Sequence, residues 1–191
     1  MAFRRGFKRE AHELAAEVRG DLGLGPLDRL EPPLLLESLA IPAIPLSDHT
    51  GLIPDAVAQL SVVDPGAFSA ATVFCGTRRV IVYNDAHHPG RQSSDLTHEA
   101  AHALLHHAPA PAFDPVGCRH LDQDQEDEAR FLGAALLVTE KAAMNVVRRR
   151  LPEREAAARY GVTPKLLRYR INITGARNRV ARAGRRHAIR A

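Results

Sequence analysis

His98 and His102 flank the segment Glu99-Ala100-Ala101. On an α-helix, residues four apart lie on one face a turn apart, so both imidazoles can reach a single metal ion. Glu99 directly follows the first histidine, where its carboxylate can take a proton from a water activated by that metal. His-Glu-x-x-His on a helix is the signature of zinc-dependent peptide hydrolysis, with Glu99 as general base. The same five residues also arise by chance on ordinary helices with exposed His and Glu. The chemistry therefore requires a helix here, a third protein ligand and an open coordination position.

The helix has support from its neighbours. Ser94 or Asp95 can act as N-cap, and neither Pro nor Gly interrupts Asp95–His107, which a Pro-rich loop (Ala108-Pro109-Ala110-Pro111) should end. The run Asp122-Gln123-Asp124-Gln125-Glu126-Asp127-Glu128 offers the third ligand. It opens a second expected helix, Asp124–Val138, which can be prolonged through 139–149. The apolar face of this helix is Ala129, Leu132, Gly133, Leu136 and Leu137. At about 100° per residue, Glu126 lies roughly 50° from the centre of that face, Glu128 about 110° and Asp127 about 150°. Glu126 is thus expected to face the His pair, with Asp127 and Glu128 towards solvent. An acidic first turn also complements the helix dipole, and some of these residues serve that purpose. Small residues at Ala129, Gly133 and Ala134 would let the two helices approach closely. His106 either lines the cleft or is the solvated helix end; His87, His88, His107 and His120 read as loop residues. Cys118 has no Cys partner at zinc-finger spacing.

Around these two helices the period of the sequence changes. Residues 7–20 have helical spacing, ended by Gly20 and the Gly-Leu-Gly-Pro turn at 23–26, and Leu34–Leu39 predicts a second short helix. Ala58–Val63, Ala71–Cys75 and Arg79–Asn84 are short and rich in Val and Ile, with a tight hairpin over 73–81. They predict a small antiparallel sheet of three or more strands. Pro152–Tyr160 and Pro164–Ile173 read as helix, turn and helix, with Thr163 as N-cap and Pro164 at the first helical position.

Composition is that of an ordinary globular protein, with 45% hydrophobic residues and no Trp, so Leu, Val, Ile and Ala must build the core. The basic N-terminus lacks the apolar stretch of a secretory signal, and the longest apolar runs are too short to span a bilayer. Only Cys75 and Cys118 are present, which suggests reduced thiols in the cytoplasm. Residues 148–191 hold fourteen Lys/Arg against Glu153 and Glu155, whereas residues 1–147 hold twelve basic and twenty acidic residues. This asymmetry divides the chain into a catalytic part, 1–147, and a basic helical part, 148–191, the latter facing an anionic partner or forming a solvated tail.

The residues Ile81-Val82-Tyr83-Asn84, Arg91 and Ser94 through His106 resemble the strand, Asn and His-Glu-x-x-His helix of the ImmA/IrrE family of metallo-endopeptidases. Glu126 through Val138 is similar to the family's second motif, E-x-x-A-N-x-F-A-A-x-L-L-M, whose first Glu is a zinc ligand. The resemblance implies a gluzincin-like α+β core, one Zn2+ held by His98, His102 and Glu126, and catalysis by Glu99. It also implies a protein substrate, since characterised relatives cleave helix-turn-helix repressors and so regulate genes. One departure bears on the site. The family carries Asn or Asp where this chain has Arg130, and in similar peptidases that residue orients a zinc-bound His. Arginine cannot accept a hydrogen bond from an imidazole N–H. Either another group receives it or the site is weakened, leaving as a rival a regulatory module with little or no activity that contacts DNA or protein through its basic end.

Ala156 through Thr163 resembles the first helix and turn of helix-turn-helix units. A nucleic-acid reading places Pro164–Ile173 near a groove, with Lys165, Arg168, Arg170, Arg177 and Arg179 as contacts. The other reading packs this helical pair on the peptidase, where it shapes the substrate cleft through Leu166, Leu167, Tyr169 and Ile171.

Overall fold

A computed structural model describes residues 3–76, 78–108 and 122–188, without the side chains of Cys75 and of residues 186–188. Cys118, His120 and residues 109–111 of the Pro-rich loop lie outside the described residues. Two helices, α4 (Pro89–Leu104) and α5 (Gln123–Leu137), form the centre and make the most extensive helix–helix contact. The remaining elements pack around this pair, and the hydrophobic core runs continuously from Phe7 and Ala11 through Ala100, Leu132 and Leu136 to Tyr160, Leu167 and Ile171.

Helix α1 (Phe7–Asp21) buries Phe7, Ala11 and Ala15 against α5, with Phe7 meeting the Phe131 ring edge-on. Helix α2 (Pro32–Ser38) starts on two prolines and packs on α4. A three-stranded sheet has the order β1 (Ala43–Pro45), β3 (Arg78–Tyr83), β2 (Ala70–Cys75). The β2–β3 pair is the expected antiparallel hairpin, turning through Gly76 at φ 62. The third strand is not the expected one. It is Ala43–Pro45, which pairs parallel with β3, so the sheet is mixed rather than wholly antiparallel. Residues 58–63, expected as a strand, instead end helix α3 (Pro54–Ala58) and continue it as a π-turn over Gln59–Val63. Pro54 begins that helix, and Val62 and Val63 are exposed rather than packed in a sheet.

Helix α4 starts six residues before the expected Asp95, with Pro89 in its first turn and the His88 Nδ1 accepting from Gly90 N–H. Helix α5 is capped by Asp122 and stops at Val138, whose extended backbone separates it from α6 (Glu140–Arg148). The carbonyls freed at that end need donors, and two buried arginines supply them. Arg19 donates to Leu136 O at 2.6 Å, and Arg170 donates through Nε to Val138 O at 2.8 Å. Arg19 also donates to Gly25 O and Asp28 O, tying the α1–α2 connection to the end of α5.

Helices α7 (Glu153–Arg159) and α8 (Pro164–Ile173) are joined at Gly161, with φ 63, and Thr163 caps α8 as expected. Helix α8 packs on α6 and α5, and α9 (Ala176–Ala188) on α6 and α8. The turn between α7 and α8 touches the start of α4 so closely that a Cβ at Gly90 would lie 2.7 Å from the Val162 carbonyl carbon. The C-terminal helices therefore share the core of the preceding ones.

Candidate metal centre

His98 and His102 project from the middle and last turns of α4, and Glu126 from the first turn of α5. Their approach depends on Gly133, two turns after Glu126. A Cβ there would sit 2.9 Å from the Thr97 carbonyl oxygen and 3.1 Å from the His98 nitrogen. Only a residue without a side chain lets the two backbones meet at this distance, and the contact lies at the peptide that carries His98.

The result is a triangle of donor atoms. His98 Nε2 stands 3.2 Å from His102 Nε2 and 3.2 Å from Glu126 Oε2, and His102 Nε2 is 3.6 Å from Glu126 Oε1. Among the described residues these three form the one group able to hold a metal ion. The spacing fits zinc. Bonds of about 2.0–2.1 Å in a tetrahedral site put neighbouring donors about 3.3 Å apart. Two imidazole nitrogens with facing lone pairs repel one another unless a cation or proton lies between them. Each of the three side chains keeps roughly a quarter of its area exposed, so one coordination position can open to the surface. Burial and the neighbouring His98 push the His102 imidazole well below its ordinary pKa, with Glu126 opposing. His102 is thus neutral at pH 7, the form in which imidazole binds metal.

Glu99 follows His98 and turns towards the sheet, where its Oε2 accepts from the Thr72 hydroxyl at 2.6 Å. Thr72 lies on β2, which has one unpaired edge among the described strands. Nothing in the spacing of the sequence marks Thr72, because it lies 27 residues from Glu99.

Behind the site, Asn84 and Arg91 anchor the chain that leads to β2. Buried Asn84 donates to Leu60 O and Phe68 O, and Arg91 donates to Ser69 Oγ. His87, expected in a loop, is buried, with Nε2 2.7 Å from Pro65 O and Nδ1 3.5 Å from Asp95. Burial raises the Asp95 carboxyl above the usual range, opposed by Arg91 and His87.

Two helical-wheel expectations need correction. Asp127 is buried, not solvent-facing, and accepts from Arg130 at 2.8 Å and from Gln123 at 3.1 Å. Glu128 is likewise largely covered; it meets His107 at 3.5 Å and Arg4 at 3.1 Å. Helix α5 is enclosed by α4, α1 and α8, so a wheel with one apolar face understates its burial. Of the proposed nucleic-acid contacts, Arg170 is fully buried and stacks 5.2 Å over the Phe131 ring, where it offers no surface contact. Arg168 is paired with Glu153 and Arg179 with Glu140. Lys165 and Arg177 face solvent. A cavity of about 350 Å³ between α1, α6 and α9 shares no residue with the metal centre.

A His-Glu-x-x-His helix beneath a small sheet, with a glutamate from the following helix brought beside the His pair, is the arrangement of a metallopeptidase. Residues 60–172, more than half of the chain, match the peptidase family model described as the IrrE N-terminal-like domain. The chain belongs to this metallopeptidase family, as its motifs suggested. No curated protein matches it. No helix among the described residues is long and apolar enough to cross a membrane.

Proposed function

We propose that the chain is a zinc-dependent endopeptidase that hydrolyses a peptide bond in a protein substrate. The observation that carries this reading is the donor triangle of His98, His102 and Glu126, with Glu99 beside it on the same helix. When bound, Zn2+ supplies Lewis acidity, bringing the pKa of water towards neutrality and polarising the scissile carbonyl. Glu99 serves as general base and then as proton donor to the leaving amine. Because Thr72 occupies Oε2, Glu99 exchanges protons through Oε1. The edge of β2 that no described strand pairs can receive an extended substrate segment by strand addition, with Thr72 placing that edge against Glu99.

The proposed substrate is a helix-turn-helix transcriptional repressor in the cytoplasm, which gives the reaction a role in gene regulation; the family resemblance supports this. The rival reading of a weakly active module rests on Arg130. That guanidinium pairs with Asp127, and His102 Nδ1 has another neighbour, which supports a working site despite Arg130. The C-terminal helices serve mainly to support α4 and α6. The exposed Lys165, Arg177, Arg182 and Arg185 leave a basic surface for an anionic partner, DNA included; absence of salt-dependent DNA binding would remove that option. For the peptidase itself, the test is cleavage of a repressor encoded nearby by zinc-loaded protein. Glu99→Gln should retain zinc and lose at least about a hundredfold in rate; wild-type protein that binds zinc but cleaves no more than this variant refutes the assignment.

A further inference from the structure

We propose that His107 and Glu128 form a relay that fixes the tautomer and orientation of His102, making His107 a positioning residue for the metal centre. This inference rests on the zinc reading above, and it supplies the acceptor that Arg130 cannot.

The relay starts in the way α4 ends. His106 takes φ 53, and its N–H bonds to Ala103 O, while the His107 N–H bonds to His102 O at 3.0 Å. This is a Schellman termination, with His106 in the left-handed position that glycine usually fills. Such a motif brings the residue at its end back against the residue five earlier. Here the pair is His107 and His102, and the contact is polar, with the two Nδ1 atoms 2.9 Å apart. The backbone that terminates the helix thus also aims the His107 ring at the back of a ligand.

Each nitrogen then has one consistent role. A ligand that uses Nε2 carries its proton on Nδ1, so His102 Nδ1–H is the donor. The facing His107 Nδ1 must accept, which leaves the His107 proton on Nε2. That nitrogen faces Glu128 Oε2 at 3.5 Å, a carboxylate able only to accept. The other Glu128 oxygen is held by Arg4 Nε at 3.1 Å. Both histidine donors point away from the metal position, which leaves the His102 Nε2 lone pair facing it. The His107 side chain is 8% exposed and that of Glu128 13%, which keeps competing water from both contacts. Meanwhile Arg130 is half exposed and turned to Asp127, away from this role.

Zinc affinity, measured by competition with a chromophoric chelator, tests the relay without reference to activity. His107→Ala should weaken zinc binding by about 10–100-fold. His107→Asn sets an amide oxygen near the place of Nδ1 and should restore most of the affinity, which a space-filling role alone would not produce. In 15N-labelled wild-type protein loaded with zinc, long-range 1H–15N spectra should show His107 protonated on Nε2 and His102 on Nδ1. Unchanged affinity in His107→Ala, an Asn variant as weak as the Ala variant, or His107 protonated on Nδ1 overturns the relay. Should the variants fail to fold, the wild-type tautomers decide it. Wild-type protein that takes up no zinc overturns the metal reading and the relay with it, whereas zinc uptake indifferent to His107 overturns the relay alone.

Discussion

Gly133→Ala perturbs the closest contact behind the metal centre. The added methyl would lie 2.9 Å from Thr97 O, 3.0 Å from Thr97 C and 3.1 Å from His98 N, all backbone atoms of α4. Ordinary carbon contacts lie near 3.5 Å, so the helices must separate by about half an ångström. Overpacking of this kind costs about 1–3 kcal/mol. The helical preference of Ala over Gly returns about 1 kcal/mol, leaving a net loss of up to about 2 kcal/mol. The same separation draws Glu126 from His98, because Glu126 lies seven residues earlier on the same helical stripe. Zinc bonds are near 2 Å, and half an ångström of strain in one of three ligands should lower zinc affinity about tenfold. Urea unfolding of metal-free protein reads the first quantity and chelator competition the second. Gly184→Ala, in α9 with open space around it, is the control and should stabilise by about 0.5–1 kcal/mol. If Gly133→Ala is as stable as its parent and binds zinc equally well, the close approach of α4 and α5 does not set the ligand geometry.

Three further outcomes follow from particular contacts. Thr72→Val removes the hydrogen bond to Glu99 Oε2 and should lower kcat about tenfold while zinc affinity and unfolding midpoint stay nearly constant; a wild-type kcat shows that Thr72 does not orient the base. Arg19→Met leaves the carbonyls of Leu136, Gly25 and Asp28 without their donor and should cost about 3 kcal/mol in urea unfolding, at about 1 kcal/mol each. Burial, with Arg170, Arg179 and Lys8 nearby, lowers the His12 pKa to about 4. The unfolded chain therefore takes up a proton near pH 6.5 that the folded chain refuses until about pH 4, so stability falls as pH drops through that window. His12 remains partly solvated, and its share is discounted to about 1–2 kcal/mol. His12→Phe should remove that share, giving a flatter profile of unfolding free energy between pH 6.5 and 4.

What could be read from the chain alone was whatever depended on local spacing. The His98-Glu99-His102 face, the choice of Glu126, and the Thr163-Pro164 start of α8 need only helical periodicity and capping chemistry. The close packing allowed by Gly133 also followed from residue size. Misreadings came where distant segments decide. Ala58–Val63 has strand-like composition, but Pro54 starts a helix that runs into it, and β3 takes its second neighbour from Ala43–Pro45. Asp127 and Arg170 carry charges that suggest solvent, yet α5 is covered on several sides and the end of its backbone needs donors. His107 does lie in the loop after α4, as expected, but its contact with His102 was hidden because a histidine, not a glycine, takes the left-handed position before it. Thr72 and Glu128 acquire their roles only through folding, since neither lies near its partner in sequence.

Zinc stoichiometry measured by elemental analysis after dialysis, on the parent and on Glu126→Gln, tests the donor triangle most directly. The parent should retain one zinc per chain, and the variant should lose most of it while keeping its helical circular dichroism. Zinc-free parent protein, or a Glu126→Gln variant that holds zinc as well as the parent, would contradict the assignment of His98, His102 and Glu126 as the ligand set.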